Sequence, residues 1–324
     1  MSSGIDPLPD AERALVRKSA PPRGSDAMKA VLTDERFSHP DWIFERKLDG
    51  IRCIAIREGD RVRLLSRNDL SLDQRYPELA ETLAGERCES FAVDGEVVAF
   101  DGAQTSFSLL SQRRQRSVRV FLYAFDLLWL DGHDVRRLPL RSRKRLLRGV
   151  LDFRGDLRLT PHRNGRGEEL YAEACAKGWE GLIAKRADSA YSSSRSKDWL
   201  KLKCDRSQEL VIGGYTAPKG SREELGALLT GYYDAGELRY AGKVGTGFDG
   251  ATLSDLAARM RPLRRSDPPF ADAGEIKDRT ATWVDPELVA QIGFAEWTRH
   301  GRLRHPRFLG LRFDKPAAKV VREA

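Results

Sequence analysis

Glu45-Arg46-Lys47-Leu48-Asp49-Gly50-Ile51-Arg52 stands between a short aromatic run, Trp42–Phe44, and an apolar stretch, Ile51–Ile56. Ile51–Ile56 and Val62–Leu65 flank Glu58-Gly59-Asp60, so a β-hairpin is predicted directly after the charged cluster. The cluster therefore falls on a strand–loop junction. A lysine placed there becomes a nucleophile once its amine is deprotonated, and neighbouring charge or a metal sets when that happens. Gly50 allows close backbone approach. Arg52 can hold a sugar or phosphate oxygen. Taken alone, the segment is equally compatible with a solvated charged loop.

The surrounding chain changes that balance. Asp94-Gly95-Glu96 interrupts the apolar strand Phe91–Phe100, where a glutamate is costly unless it is paired or binds metal. Glu180 and Lys185 stand at the two ends of a further apolar strand, Gly181–Ala184. Trp199-Leu200-Lys201-Leu202-Lys203 alternates, so Trp199, Lys201 and Lys203 share one face. Two lysines on one strand face repel unless an anion lies between them. Together these segments suggest a pocket for phosphate and metal.

Helical patterns at 75–84, 141–152 and 168–177 lie among these strands and a longer one, Val118–Trp129, without regular βαβ alternation. An α+β domain with mainly antiparallel sheets is expected. Past residue 205 the texture changes. Glu209–Thr216, Leu225–Tyr233, Leu238–Val244, Leu288–Trp297 and Leu309–Phe313 read as strands and Leu253–Met260 as a helix, with a turn at Ala217-Pro218-Lys219-Gly220. Such a set suits a small OB-fold barrel. The expected organisation is a loose arm (1–25), a first domain (26–206) and a barrel (207–324).

Composition sets the outer limits. A chain of 324 residues fits two compact domains, and 40% hydrophobic residues with a mean hydropathy of −0.51 exclude a disordered chain. No stretch approaches the roughly 20 apolar residues of a membrane span, and the N-terminus lacks a secretory core. A cytoplasmic protein with no membrane partner is expected. Cys53, Cys88, Cys175 and Cys204 form no CxxC and are read as buried free thiols. The five histidines show no metal-ligand spacing. A net charge of +8 and a pI near 9.4 point to a polyanionic partner, although coding bias toward arginine gives the same balance. Gly245-Thr246-Gly247-Phe248-Asp249-Gly250 matches GxGxxG but lacks a βαβ setting, so a hairpin exit is expected there instead. No P-loop motif occurs.

At this point the chain resembles the covalent nucleotidyltransferases: ATP-dependent DNA ligases, RNA ligases and mRNA capping enzymes. KLDGIR (47–52) is similar to motif I, Ser66-Arg67-Asn68 to the arginine motif after the first hairpin, and DGE (94–96) to motif III. Tyr123–Leu128 is similar to motif IIIa, EGLIAK (180–185) to motif IV, WLKLK (199–203) to motif V and Arg312-Phe313-Asp314-Lys315 to motif VI. Within the family the chain resembles the ligase domain of bacterial end-joining DNA ligase D, through FDLLWLDG (125–132), KRADSAYSSSRSKDWLKLKC (185–204), VIGGYTAPKGSR (211–222), RYAGKVGTGF (239–248) and LRHPRFLGLRFDKPA (303–317). Phe313 departs from the acidic residue common at its place.

The resemblance implies an ATP-grasp-like nucleotidyltransferase domain followed by an OB fold, and an enzyme that seals DNA nicks through a lysyl-AMP. Lys47 would be the nucleophile, with Asp49 beside it. Glu96 and Glu180 would hold Mg²⁺ or Mn²⁺. ATP would be bound by Glu45, Arg52, Arg67, Glu96, Phe125, Lys185, Lys201, Lys203, Arg312 and Lys315. Phe125 would stack on adenine and Arg52 would hold the ribose. Arg312 and Lys315 would reach pyrophosphate after closure of the OB domain. Nicked duplex DNA would be the substrate, contacted by Arg299, Arg302, Arg304 and Arg307 and by the basic segment 136–148. The chain is expected to be a monomer, with a Ku homologue and a separate repair polymerase as candidate partners. An RNA ligase or capping-type enzyme, and a non-catalytic OB protein, are the rival readings.

Overall fold

The computed structural model describes residues 5–113, 117–204, 206–218 and 224–323, with the backbone only at 206. The turn expected at 217–220 lies partly outside them, at Lys219 and Gly220. The chain divides into two units, Met1–Leu110 with Ser117–Cys204, and Ser111–Arg116 with Asp205–Ala324. Among the described residues no helix is long and apolar enough to cross a membrane.

The first unit is built on two sheets. One has seven strands, in the order Arg17–Lys18, His133–Asp134, Phe121–Leu130, Ser90–Val98, Ile51–Glu58, Arg61–Ser66, with Leu157–Leu159 parallel to Phe121–Leu130. The other has five, in the order His162–Asn164, Trp42–Arg46, Gly181–Arg186, Arg195–Lys203, Lys29–Leu32, the last pair parallel. All other pairings in the two sheets are antiparallel. Ile54, Ile56, Ala92, Phe125, Leu128 and Trp129 of the first sheet pack with Trp199 of the second and with Tyr191. Leu182, Ala184 and Leu202 face away, onto the helix Gly167–Ala176. Strand alternation thus divides each strand of the second sheet into a packing face and a face toward the first sheet. Gly50 lies so close to the neighbouring strand that a Cβ there would stand 2.2 Å from the Val97 carbonyl oxygen.

Three expectations need correction. Residues 5–25 are not a loose arm: Leu8 and Val16 are buried, Arg17–Lys18 adds an edge strand, and Ser142 donates to Glu12 at 2.7 Å. Single apolar anchors in a polar, Pro-containing stretch give no periodic signal, which is why the docking was not legible. Cys175 and Cys204 are not free thiols; they form a disulfide, their Cα atoms 5.3 Å apart, while Cys53 is free and buried. The ends of a helix and a strand bring together residues 29 apart in sequence. Finally, the basic segment 136–148 is not a uniform surface: Arg137, Arg141, Arg145 and Arg148 are exposed, but Arg143 and Lys144 are buried. Arg136 pairs with Asp26 and Asp134, Arg145 with Glu12, and Arg143 and Lys144 are buried in ion pairs. Arg143 and Lys144 occupy the i+3 and i+4 places of the stripe begun by Leu140 and ended by Leu147, the face a helix buries.

The second unit is a seven-stranded sheet of OB-fold type. Its main path runs Glu237–Val244, Leu228–Asp234, Arg206–Thr216, Ala281–Val284, Arg264–Arg265, and Val289–Phe294 links Arg206–Thr216 to Arg307–Arg312. Leu210, Ile212, Leu228, Leu256, Met260, Ile292 and Phe308 fill its core. The GxGxxG segment is the expected exit from a hairpin. Gly247 has φ of +89°, and a Cβ on it would lie 2.2 Å from the Phe308 carbonyl oxygen. Asp249 caps the following helix, Gly250–Met260, by accepting from the Thr252 amide at 2.8 Å. Strand Ala281–Val284 was not read from the sequence, because it holds only two large apolar residues, Trp283 and Val284, and is flanked by Lys277, Asp278, Arg279 and Asp285.

Candidate active site

Lys47 follows strand Trp42–Arg46, and its amide donates to the Gly181 carbonyl at 2.8 Å, which fixes it beside the start of Gly181–Arg186. Its Nζ is paired with Glu180. Burial presses the Lys47 ammonium toward deprotonation, but Glu180, Asp49 and Glu96 outweigh it and hold its pKa above the ordinary lysine range. Lys47 is therefore protonated, and not yet nucleophilic, in this arrangement. Asp49 also braces the loop around it. Its carboxylate accepts the Phe107 amide at 3.2 Å, and its own amide donates to Thr105 at 3.1 Å.

Glu45, two residues earlier, is buried between two lysines. Lys185 reaches it at 2.6 Å and Lys144 pairs with its other oxygen. Burial raises the Glu45 carboxyl, and the two lysines more than reverse that, so its pKa lies below the usual range. Burial lowers Lys185 to about 8. Its Nζ lies 4.0 Å from the ring centroids of both Phe125 and Trp199. Arg52 stands 4.7 Å from the Phe125 centroid on the same sheet. It pairs with Asp94, which is fully buried, and the Coulombic pull of that carboxylate outweighs burial and raises the arginine's pKa further. Lys144, Asp94, Trp199 and Tyr191 thus belong to the site although none was singled out as a site residue from the sequence. The signal for Lys144 was its core position in an amphipathic helix, and for Asp94 its place in an apolar strand.

Lys201 and Lys203 share with Trp199 the face of Arg195–Lys203 toward the first sheet, because Leu200 and Leu202 pack on the other. Arg67 lies one residue beyond the Cys53–Ser66 register pair, at the end of the edge strand, half-buried. Glu96 sits opposite Tyr123 and Arg52 in register, near enough to Lys47 to act on its charge. Two carboxylates, Glu96 and Glu180, therefore flank one amine. Both are hard oxygen donors suited to a divalent cation. Among the described residues no three acidic, histidine or cysteine side chains converge as ligands, so the two fit a cation completed by phosphate oxygens and water rather than a protein cage.

The remaining expected residues lie in the second unit. Arg312 makes a two-pronged contact with buried Asp314, both bonds 2.8 Å, and Lys315 reaches Glu209 at 3.1 Å. The basic strip is uneven. Arg299 and Arg307 are exposed, and Arg304 forms a surface pair with Glu296 at 2.7 Å. Arg302 is held by Asp272, Glu275 and the Tyr240 carbonyl. These contacts make it a brace within the second unit, at a position where a DNA contact was expected.

The family described as "ATP dependent DNA ligase domain" matches residues 25–203, and the "ATP dependent DNA ligase C terminal region" matches 221–315. The chain is 38% identical to the multifunctional non-homologous end joining protein LigD of Pseudomonas aeruginosa, over 99% of this chain and 38% of that protein. It is 36% identical to the protein of the same name from Mycolicibacterium smegmatis, over 97% of this chain and 42% of the relative. The chain thus spans about two fifths of the length of these relatives. The solved structure titled "mycobacterial DNA ligase D complexed with ATP and MES" is 36% identical, with a TM-score of 0.67, covering 92% of this chain and 98% of that one. A lysine among carboxylates and lysines on two facing sheets, an OB-type second unit and matches along both units together show that the chain belongs to the ATP-dependent DNA ligase family.

Proposed function

We infer that the chain seals 5′-phosphate/3′-hydroxyl nicks in duplex DNA through an AMP carried on Lys47, in the joining of broken DNA ends. The observation that supports this most is the single amine of Lys47 held by Glu180 in the field of Asp49 and Glu96. Lys47 loses its restraint when those carboxylates are engaged elsewhere. Its free amine attacks the α-phosphorus of ATP; a P–N bond forms as the P–O bond to pyrophosphate breaks. AMP then passes to the 5′-phosphate at the nick, and the 3′-hydroxyl displaces it. Mg²⁺ or Mn²⁺ held by Glu96 and Glu180 would supply positive charge to the phosphates. Lys201 and Lys203 neutralise charge on the α-phosphate, and Arg312 and Lys315 are assigned to the leaving pyrophosphate. Glu45 and Lys185 line the base end of the pocket, Arg52 takes the ribose and Arg67 a phosphate. Adenine stacking on Phe125 requires Lys185 or Arg52 to yield a face of that ring. Arg299, Arg304 and Arg307 contact DNA phosphates. A Ku homologue and a separate repair polymerase are the proposed partners, with the chain acting as a monomer in the bacterial cytoplasm.

Labelled ATP and GTP offered in parallel, followed by sealing assays on nicked DNA and nicked RNA, test this reading. Label from ATP and sealing of DNA are expected. Label from GTP, or sealing confined to RNA, would move the chain to the capping or RNA-ligase side. Absence of any label would make it a binding protein.

A further inference from the structure

Tyr191 lies on the segment between Gly181–Arg186 and Arg195–Lys203 and is buried, as is Asp94. Their hydrogen bonds close a ring. The Met28 amide donates to the Tyr191 hydroxyl oxygen at 2.8 Å, and that hydroxyl donates to Asp94 Oδ2 at 2.5 Å. Arg52 Nη2 donates to the same Oδ2 at 2.5 Å and to the Met28 carbonyl at 3.2 Å. Arg52 Nε completes the grip on Asp94 through Oδ1. The Tyr191 ring is itself set edge-on against Trp199, 5.6 Å between centroids, with the Arg143 guanidinium 5.7 Å away. Two guanidinium nitrogens of Arg52 are thus engaged. Nη1 has no partner among the described residues, and the side chain keeps 20% exposure.

We propose that Tyr191 is a positioning residue for nucleotide binding: by clamping Asp94 it fixes the plane of the Arg52 guanidinium and presents Nη1 to a ribose hydroxyl, so that the site distinguishes ribonucleotide from deoxyribonucleotide. The physical basis is pre-organisation. Asp94 accepts from both Arg52 and Tyr191, and without the hydroxyl its carboxylate can turn about the Cβ–Cγ bond and carry the guanidinium with it. The Met28 amide would also lose its acceptor. Nothing in this role requires Tyr191 to touch ATP. It rests on the assignment of Arg52 to the ribose.

The test is single-turnover adenylylation of the full chain with ATP and with 2′-deoxy-ATP, each titrated to saturation. The proteins are the parent, Tyr191→Phe, Asp94→Asn and Arg52→Ala, with thermal unfolding followed in parallel. A hydrogen bond to a charged group is worth about tenfold in affinity. The half-saturating ATP concentration should therefore rise about tenfold in Tyr191→Phe at an unchanged saturating rate, while that for 2′-deoxy-ATP moves less than about threefold. Tyr191→Phe keeps the ring on Trp199; should it unfold, Asp94→Asn, which loosens the same contact, carries the comparison. An equal loss for both nucleotides, or no loss, overturns the proposal. Arg52→Ala separates the two levels. If it keeps the parent's preference for ATP, the ribose assignment itself is wrong and the proposal falls with it. If it abolishes the preference while Tyr191→Phe and Asp94→Asn retain it, the positioning role alone is wrong.

Discussion

Lys47 binds its proton more firmly than a solvated lysine because three carboxylates overcome the effect of burial. A raised pKa places the rise of nucleophilicity at higher pH. In Glu180→Gln the strongest attraction is gone and burial remains, so the pKa falls. The rate of adenylylation in that variant should reach a lower plateau, through loss of a metal-holding oxygen, yet its rising limb should move to lower pH. A pH–rate profile of the single-turnover step checks this, and an unmoved limb would separate Glu180 from control of the Lys47 proton. Glu96, Glu180, Lys201 and Lys203 stand out in the sequence because each breaks a local rule, charge in or beside an apolar strand or like charges on one face, and the fold brings Glu180 and Glu96 to Lys47. Tyr191 broke none. An aromatic residue in a Ser-rich loop carries no sign that its hydroxyl will close a ring with Asp94 and Met28, since that contact spans 163 residues.

The helix Leu140–Val150 shows how an element can mislead. The seven basic residues of segment 136–148 read as a DNA-facing surface, yet Arg143 and Asp126 are both fully buried and joined at 2.7 Å. Arg143 also donates to the Ser189 carbonyl at 2.9 Å. Arg143→Ala should destabilise the first unit by about 3–5 kcal/mol, because Asp126 is left buried and uncompensated. Urea unfolding measures it, and Arg143→Met combined with Asp126→Leu should recover most of the loss. If the single variant costs under about 1 kcal/mol, the pair is not the brace described. The hairpin at Glu58-Gly59-Asp60 and the alternation of Trp199–Lys203 were legible because their period matches the strand. Strand Trp42–Arg46, which carries Glu45 to its partners, was not: five residues with three large apolar side chains followed by charge show no period, and its place is set by pairing with Gly181–Arg186.

For the molecule as a whole, the even spread of arginine hides a division of labour. Arg299→Ala and Arg307→Ala together should weaken nicked-DNA binding and reduce the salt slope by about 2, one unit per lost phosphate contact. Arg302→Ala should leave that slope alone and lower the unfolding temperature, because its partners Asp272 and Glu275 belong to the same unit. Binding isotherms across a salt series distinguish the two, and equal slopes for all three proteins would contradict the division. Arg312→Ala and Lys315→Ala should slow attack on ATP strongly and the sealing of an already adenylylated nick less, since only the first step expels pyrophosphate. Equal defects on both substrates would leave those residues a structural role with Asp314 and Glu209.

The central claim is that AMP is carried on Lys47. Intact-mass measurement of the chain after mixing with ATP and Mg²⁺ or Mn²⁺, followed by mapping of the modified peptide, tests it most directly. One AMP per chain on the peptide holding Lys47, absent from Lys47→Ala, is the predicted result. An unmodified chain, or an AMP that persists in Lys47→Ala, would contradict it.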